Sequence, residues 1–93
     1  SETSTLYVPN SFTPGGDGFN DVFRVKYTNI ARFHILIFDR WGEVIFESND
    51  VDFIWDATYR GMKVQDGIYV YRISALGNDQ VHYDLTGHIT VVK

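Results

Sequence analysis

Apolar and polar residues alternate along much of this chain, with a period of two. In "DVFRVKY" (21–27) Phe23, Val25 and Tyr27 fall on one face while Arg24 and Lys26 fall on the other, the mark of a half-buried strand. "GIYVYRISA" (67–75) repeats the pattern, with Tyr69, Tyr71, Ile73 and Ala75 inward and Arg72 and Ser74 outward. "DLTGHITVVK" (84–93) is the last strand, with Ile89 and Val91 inward. "RFHILIFD" (32–39) is apolar on both faces, as an interior strand between two layers is. Shorter runs complete the set: "LYV" (6–8), stopped by Pro9; "RWGEVIFES" (40–48), with a turn at Trp41-Gly42 followed by Val44, Ile45 and Phe46; and "FIW" (53–55).

No segment sustains a period of 3.6, so no helix longer than a turn is expected. Short strands separated by turns every ~8–12 residues predict an all-β fold, an immunoglobulin-like two-sheet β-sandwich of about seven antiparallel strands. One local pattern agrees. "DGIYVY" (66–71) has the form of a tyrosine corner, in which the Tyr69 hydroxyl bonds back to upstream main chain.

Composition narrows the function more than the fold. Ninety-three residues suffice for one domain, here a single sandwich over 1–93 with a thin core. The absence of cysteine removes both disulfides and thiolate metal sites. The formal charge is −4, with no basic block, which speaks against a nucleic-acid or anionic-membrane surface. No apolar run approaches the ~20 residues of a membrane-spanning helix, so direct membrane insertion is not expected. The chain opens on Ser1 rather than methionine and shows no signal peptide, so it reads as a piece of a longer protein.

Catalytic signatures are lacking. His34, His82 and His88 form no metal-binding spacing; on one continuous strand the last two share a face roughly 20 Å apart. His34, within an apolar strand, reads as a hydrogen-bonded, half-buried side chain. No serine occupies a nucleophile elbow. The one ion-like motif is "SFTPGGDGFNDVF" (11–23), where Asp17, Asn20 and Asp21 offer three oxygen donors. Calcium takes six to eight oxygens at ~2.3–2.6 Å, and no bidentate glutamate follows. A structural corner is the preferred reading: Pro14 fixes φ, the glycines supply unusual backbone, and Asp and Asn cap amides. The exposed-aromatic candidates Phe19, Trp41, Trp55 and Tyr59 suggest a platform for sugar rings, against the alternative that both tryptophans plug the ends of the sandwich.

Three stretches taken in order, "VPNSFTPGGDGFNDVF" (8–23), "ILIFDRWGEVIFES" (35–48) and "WDATYRGMKVQDGIYVYRI" (55–73), resemble the gliding motility-associated C-terminal domain, the type B carboxy-terminal domain of proteins exported by the type IX secretion system. "GHITVVK" (87–93) is similar to that family's final strand, which ends on a basic residue. The resemblance implies a non-catalytic address that directs a large passenger, a surface adhesin or enzyme, through the outer membrane. It implies as partners the outer-membrane secretion components and a dedicated membrane partner protein. The route it implies is periplasmic transit followed by residence at the cell surface or in the medium.

By position, the family's motif residues fall on Asp17, Gly18, Asn20 and Asp21; on Arg40, Trp41 and Gly42; on Trp55 and Asp56; and on Asp66, Gly67 and Tyr69. Two positions depart from the pattern. Gly15 stands where the family has Asn, and Ala57 where it has Gly, so a negative φ is expected at Ala57. A translocon serving many passengers reads the shared domain, through a rigid corner or an open sheet edge. The expected docking surface is the last strand (Gly87, His88, Ile89, Thr90, Val91, Val92, Lys93) with the Arg40-Trp41-Gly42 turn. The alternative is a carbohydrate-binding or structural accessory module using Trp41 and Tyr59.

Overall fold

The computed structural model describes residues 2–14 and 21–92. They form nine strands and no helix: β1 (Thr5–Tyr7), β2 (Ser11–Phe12), β3 (Lys26–Thr28), β4 (Ile30–Phe38), β5 (Val44–Ser48), β6 (Thr58–Tyr59), β7 (Met62–Lys63), β8 (Gly67–Gly77) and β9 (His82–Val91). A five-stranded sheet in the order β2-β9-β8-β4-β5 is one layer; the β1-β3 ribbon and the β6-β7 hairpin are separate two-stranded sheets. The fold is the all-β, sandwich-like one expected. It is more finely divided than the sequence suggests, and one pairing, β2 on β9, is parallel.

Register explains the core. Ile35 pairs with Ile73 and Ile37 with Tyr71 across β4 and β8, and Tyr69 pairs with Ile89 across β8 and β9, so one face of the sheet is apolar from strand to strand. A bulge in β5 leaves Ile45 as an extra residue between Phe46, which pairs with Ile37, and Val44, which pairs with Phe38. Facing them, Phe23, Phe53 and Trp55 close the second side through rings: Phe33 stacks on Phe53 at 5.6 Å, Phe12 meets Trp55 at 5.7 Å, and Trp55 meets Tyr69 edge-on at 5.8 Å. Rings of this size bury the most area per residue, which is how so short a chain closes a core.

The run over 21–27 alternates in burial as expected, with Phe23 and Val25 buried, but only its end is a strand. Phe23 instead forms an isolated antiparallel bridge with Trp55, which is the whole of the regular structure in "FIW". The chain changes layers between Tyr7 and Ser11. There Pro9, lacking an N–H, follows the first ribbon, and Ser11 and Phe12 then join β9.

Candidate functional site

The β4-β5 turn is built by Asp39. Its main-chain N–H donates to Glu43 O (2.9 Å) and its carbonyl accepts from Gly42 N (3.1 Å), while its carboxylate accepts from the amides of Trp41 and Glu43 at 2.9 Å each. Gly42 sits at φ +81, the left-handed position this turn demands. The result is a rigid tip on which Trp41 stands 78% exposed. Arg40 stacks on Trp41, its guanidinium carbon 5.2 Å from the ring centre. Tyr59 donates from its hydroxyl to Glu43 at 3.1 Å and so ties the β6-β7 hairpin to this turn. Between them lies a groove of about 170 Å³ bordered by Asp39, Arg40, Trp41, Tyr59, Gln65 and Tyr69.

Behind the tip stands Tyr69, buried, whose hydroxyl donates to Gln65 O at 2.6 Å. This is the tyrosine corner expected from "DGIYVY". Burial raises its phenol pKa, and the nearby Arg40 charge works against that rise. Gly67, at φ +149, lies against Arg40: a Cβ there would be 3.4 Å from the guanidinium. Gly67 in turn pairs with Val91, so the turn and the carboxyl end of β9 occupy the same end of the sheet. Asp66 precedes β8 on the surface.

The Trp55-Asp56 motif is structural. Trp55 is 2% exposed and its indole N–H donates to Thr58 O at 3.1 Å; Asp56 accepts from the Thr58 hydroxyl at 2.6 Å. Ala57 corrects an expectation: its φ is +65, not negative. The turn keeps the left-handed geometry of a glycine, and the carbonyl of Ala57 accepts from the Val64 amide at 2.8 Å. The two tryptophans therefore part company, Trp55 in the core and Trp41 outside it.

The last strand is placed differently from a free edge. Ile89 and Val91 are buried. Thr90 N donates to Asn10 O at 2.9 Å and Val92 N to Phe12 O at 3.2 Å, so this part of β9 bonds on both sides. His88 and Val92 are exposed, and Gly87 is half-buried beneath Tyr71. Lys93, Asp17, Gly18 and Asn20 lie outside the described residues, whereas Asp21 is half-buried beside β2. Among the described residues no three His, Asp or Glu side chains gather as a metal site.

A family model, CHU_C Type IX secretion signal domain, matches residues 6–91. The chain belongs to this family. As a type IX secretion signal domain it has a sorting role, and the protein carrying it is a secreted one bound for the cell surface or the medium. No curated protein matches the chain.

Within the signal domain, then, Arg40, Trp41, Gly42, Gly67 and Tyr69 come together at one end, with Val91 opposite Gly67 in register. Trp55 and Asp56 serve the core and its adjoining turn. Sequence reasoning missed Asp39, although Asp at the first and Gly at the fourth position of "DRWG" is a turn signature. It also missed the latch at the other end: Ser4 Oγ donates to Asp79 Oδ1 at 2.8 Å and meets the Tyr83 hydroxyl at 2.7 Å. The main-chain N–H of Ser4, also bonded to Asp79, is the chief reason the Asp79 pKa is lowered. Such a long-range pair leaves no local sequence signal. His34 is as expected, half-buried and 2.8 Å from Glu47.

Proposed function

We propose that the domain is a non-catalytic, folded address, read from outside by protein components of the outer-membrane secretion machinery together with a membrane partner protein, after transit through the periplasm. The reading surface is the end of the sandwich bearing the Arg40-Trp41-Gly42 tip and the adjoining carboxyl end of β9. One observation carries this reading: Trp41 is held 78% exposed on a turn fixed by three hydrogen bonds to Asp39 and a left-handed glycine. A large apolar ring held rigidly in water contributes little to folding and much to a partner that buries it. The cleft chemistry of an enzyme is not needed for any step.

The experiment is export of a reporter that lacks its own sorting signal, fused to these 93 residues in a host with a type IX system. Export with the fused domain and none without it supports the reading. Retention of the folded fusion in the periplasm defeats it. The same tip favours a second reading, sugar binding in the groove between Trp41 and Tyr59; binding of the isolated domain on a glycan array, with no export of the reporter, would select it.

A further inference from the structure

Backbone direction in β9 is fixed by its two neighbours. Thr90 and Val92 turn their N–H groups toward β2, and strand geometry alternates, so His82, Asp84, Thr86 and His88 turn their N–H and C=O groups the same way. Yet β2 reaches only Thr90 and Val91. Among the described residues, these four have no backbone partner on that side. The open stretch is straight, since β8 and β9 pair without a bulge from Leu76–His82 to Gly67–Val91. It carries no proline and no lysine, the usual guards of an edge, and Asp84 is its one carboxylate. The opposite edge, β5, is shorter, and it is interrupted by a bulge, preceded by Glu43 and carries Glu47.

We propose that this edge is a pairing site for a second copy of the same chain, the two β9 strands running antiparallel about a two-fold axis at Leu85. That register pairs His82 with His88 of the other copy and Asp84 with its Thr86, and so satisfies every open group on both chains. It also ends where it must: the next outward-facing residue, Thr90, is already held by Asn10. On the inner face the axis brings Leu85 against Leu85, both half-buried in the single chain, and Tyr83 against Gly87, which has no side chain of its own and is covered by the Tyr71 ring of its own chain. On the outer face Asp84 lies diagonal to His88 of the other copy, which offsets the approach of the two Asp84 carboxylates. The joined edges make one continuous sheet of two five-stranded halves. This pairing is independent of how the secretion machinery reads the domain.

The test uses the domain itself. Sedimentation equilibrium should detect a reversible dimer at or below about 1 mM, since an interface of one strand pair is smaller than standard ones. Thr86→Pro removes an N–H that β8 does not use, and should weaken association roughly tenfold or more while the circular dichroism of the fold is kept. Because the chain has no cysteine, Leu85→Cys creates a single thiol at the axis, in a non-hydrogen-bonded pair where the side chains approach closely. Mild oxidation should cross-link it much faster than Ile68→Cys on the exposed sheet face. A domain that stays monomeric to about 1 mM, a folded Thr86→Pro variant that associates like the parent, or equal cross-linking at both positions overturns the proposal. So does a monomeric domain whose edge takes up another protein's strand instead.

Discussion

The hydroxyl of Tyr69 donates to the carbonyl of Gln65 at 2.6 Å, and the ring it carries stands edge-on to Trp55 at 5.8 Å. One side chain thus fixes the entry to β8 and seals the core beneath the Arg40-Trp41 tip. Tyr69→Phe keeps the ring and removes the bond, so a loss of about 1 kcal/mol is expected, or roughly 4–8 °C in Tm for a domain of this size. The pH dependence has a definite sign. Burial raises the folded-state phenol pKa above its unfolded value, so the stability linked to Tyr69 is complete below the unfolded pKa near 10 and lost as pH rises through the folded one. Urea midpoints between pH 8 and about 11 should fall less steeply in Tyr69→Phe than in the parent. Tyr27 and Tyr71, also raised, keep part of the alkaline slope.

Gly87 is required by its neighbour rather than by its backbone. A Cβ there would lie 2.5 Å from the Tyr71 hydroxyl and 2.7 Å from the ring carbon that bears it. Gly87→Ala should cost about 1–3 kcal/mol through overpacking. Tyr71→Phe should recover only part of that, because the ring atoms stay; Tyr71→Leu should recover more. A double-mutant cycle by chemical denaturation measures the coupling, and strict additivity of the two changes would rule the contact out.

Two left-handed residues give different forecasts for the same change. Gln80, at φ +69, closes the β8-β9 turn with the bonds Gly42 makes in the β4-β5 turn: Gly77 N to Val81 O and Gln80 N to Gly77 O. It is exposed, so Gln80→Gly relieves a left-handed cost of about 1–2 kcal/mol and gives back only the unfolded-chain entropy of about 0.4–1. A net gain of roughly 0.5–1 kcal/mol is expected. Ala57, at φ +65, is fully buried, so Ala57→Gly also forfeits a packed methyl of about 0.8 kcal/mol, and the sum falls near zero. Thermal melts of the two variants should differ in that order.

The 13–21 segment, which the sequence reads as a structural corner, is expected to need no ion. Gly15 removes one oxygen donor from the family's pattern, and the three that remain, on Asp17, Asn20 and Asp21, fall short of a calcium shell. EDTA should leave Tm unchanged; a fall of several degrees, restored by calcium, would establish the site.

How much of this was legible beforehand follows the range of the interactions. Period-two alternation placed the buried faces of β8 and β9 residue by residue, because a strand's two faces are a local property. The Tyr69 corner was legible for the same reason. Local pattern was silent on partners distant in sequence: Ser4 with Asp79, Phe23 with Trp55, Thr90 with Asn10. The last of these decided which part of β9 is an edge. Ala57 went astray because its backbone is set by the turn it belongs to, whose bond from Val64 is seven residues away, and not by its own preference for negative φ.

Trp41 and Trp55 separate signal from scaffold. Trp41→Ala removes an exposed ring and one surface contact with Arg40, so stability should change by no more than about 1 kcal/mol. Trp55→Ala empties the centre of an aromatic cluster shared with Phe12, Phe46 and Tyr69, and should cost about 3–5 kcal/mol, a large part of what a domain of this size has. Export of a fused reporter should therefore fail for both, but for different reasons visible in the melt: an unfolded domain for Trp55→Ala, a native one for Trp41→Ala. Full export by a natively melting Trp41→Ala fusion would take the reading surface away from this turn, leaving the fold and the family untouched.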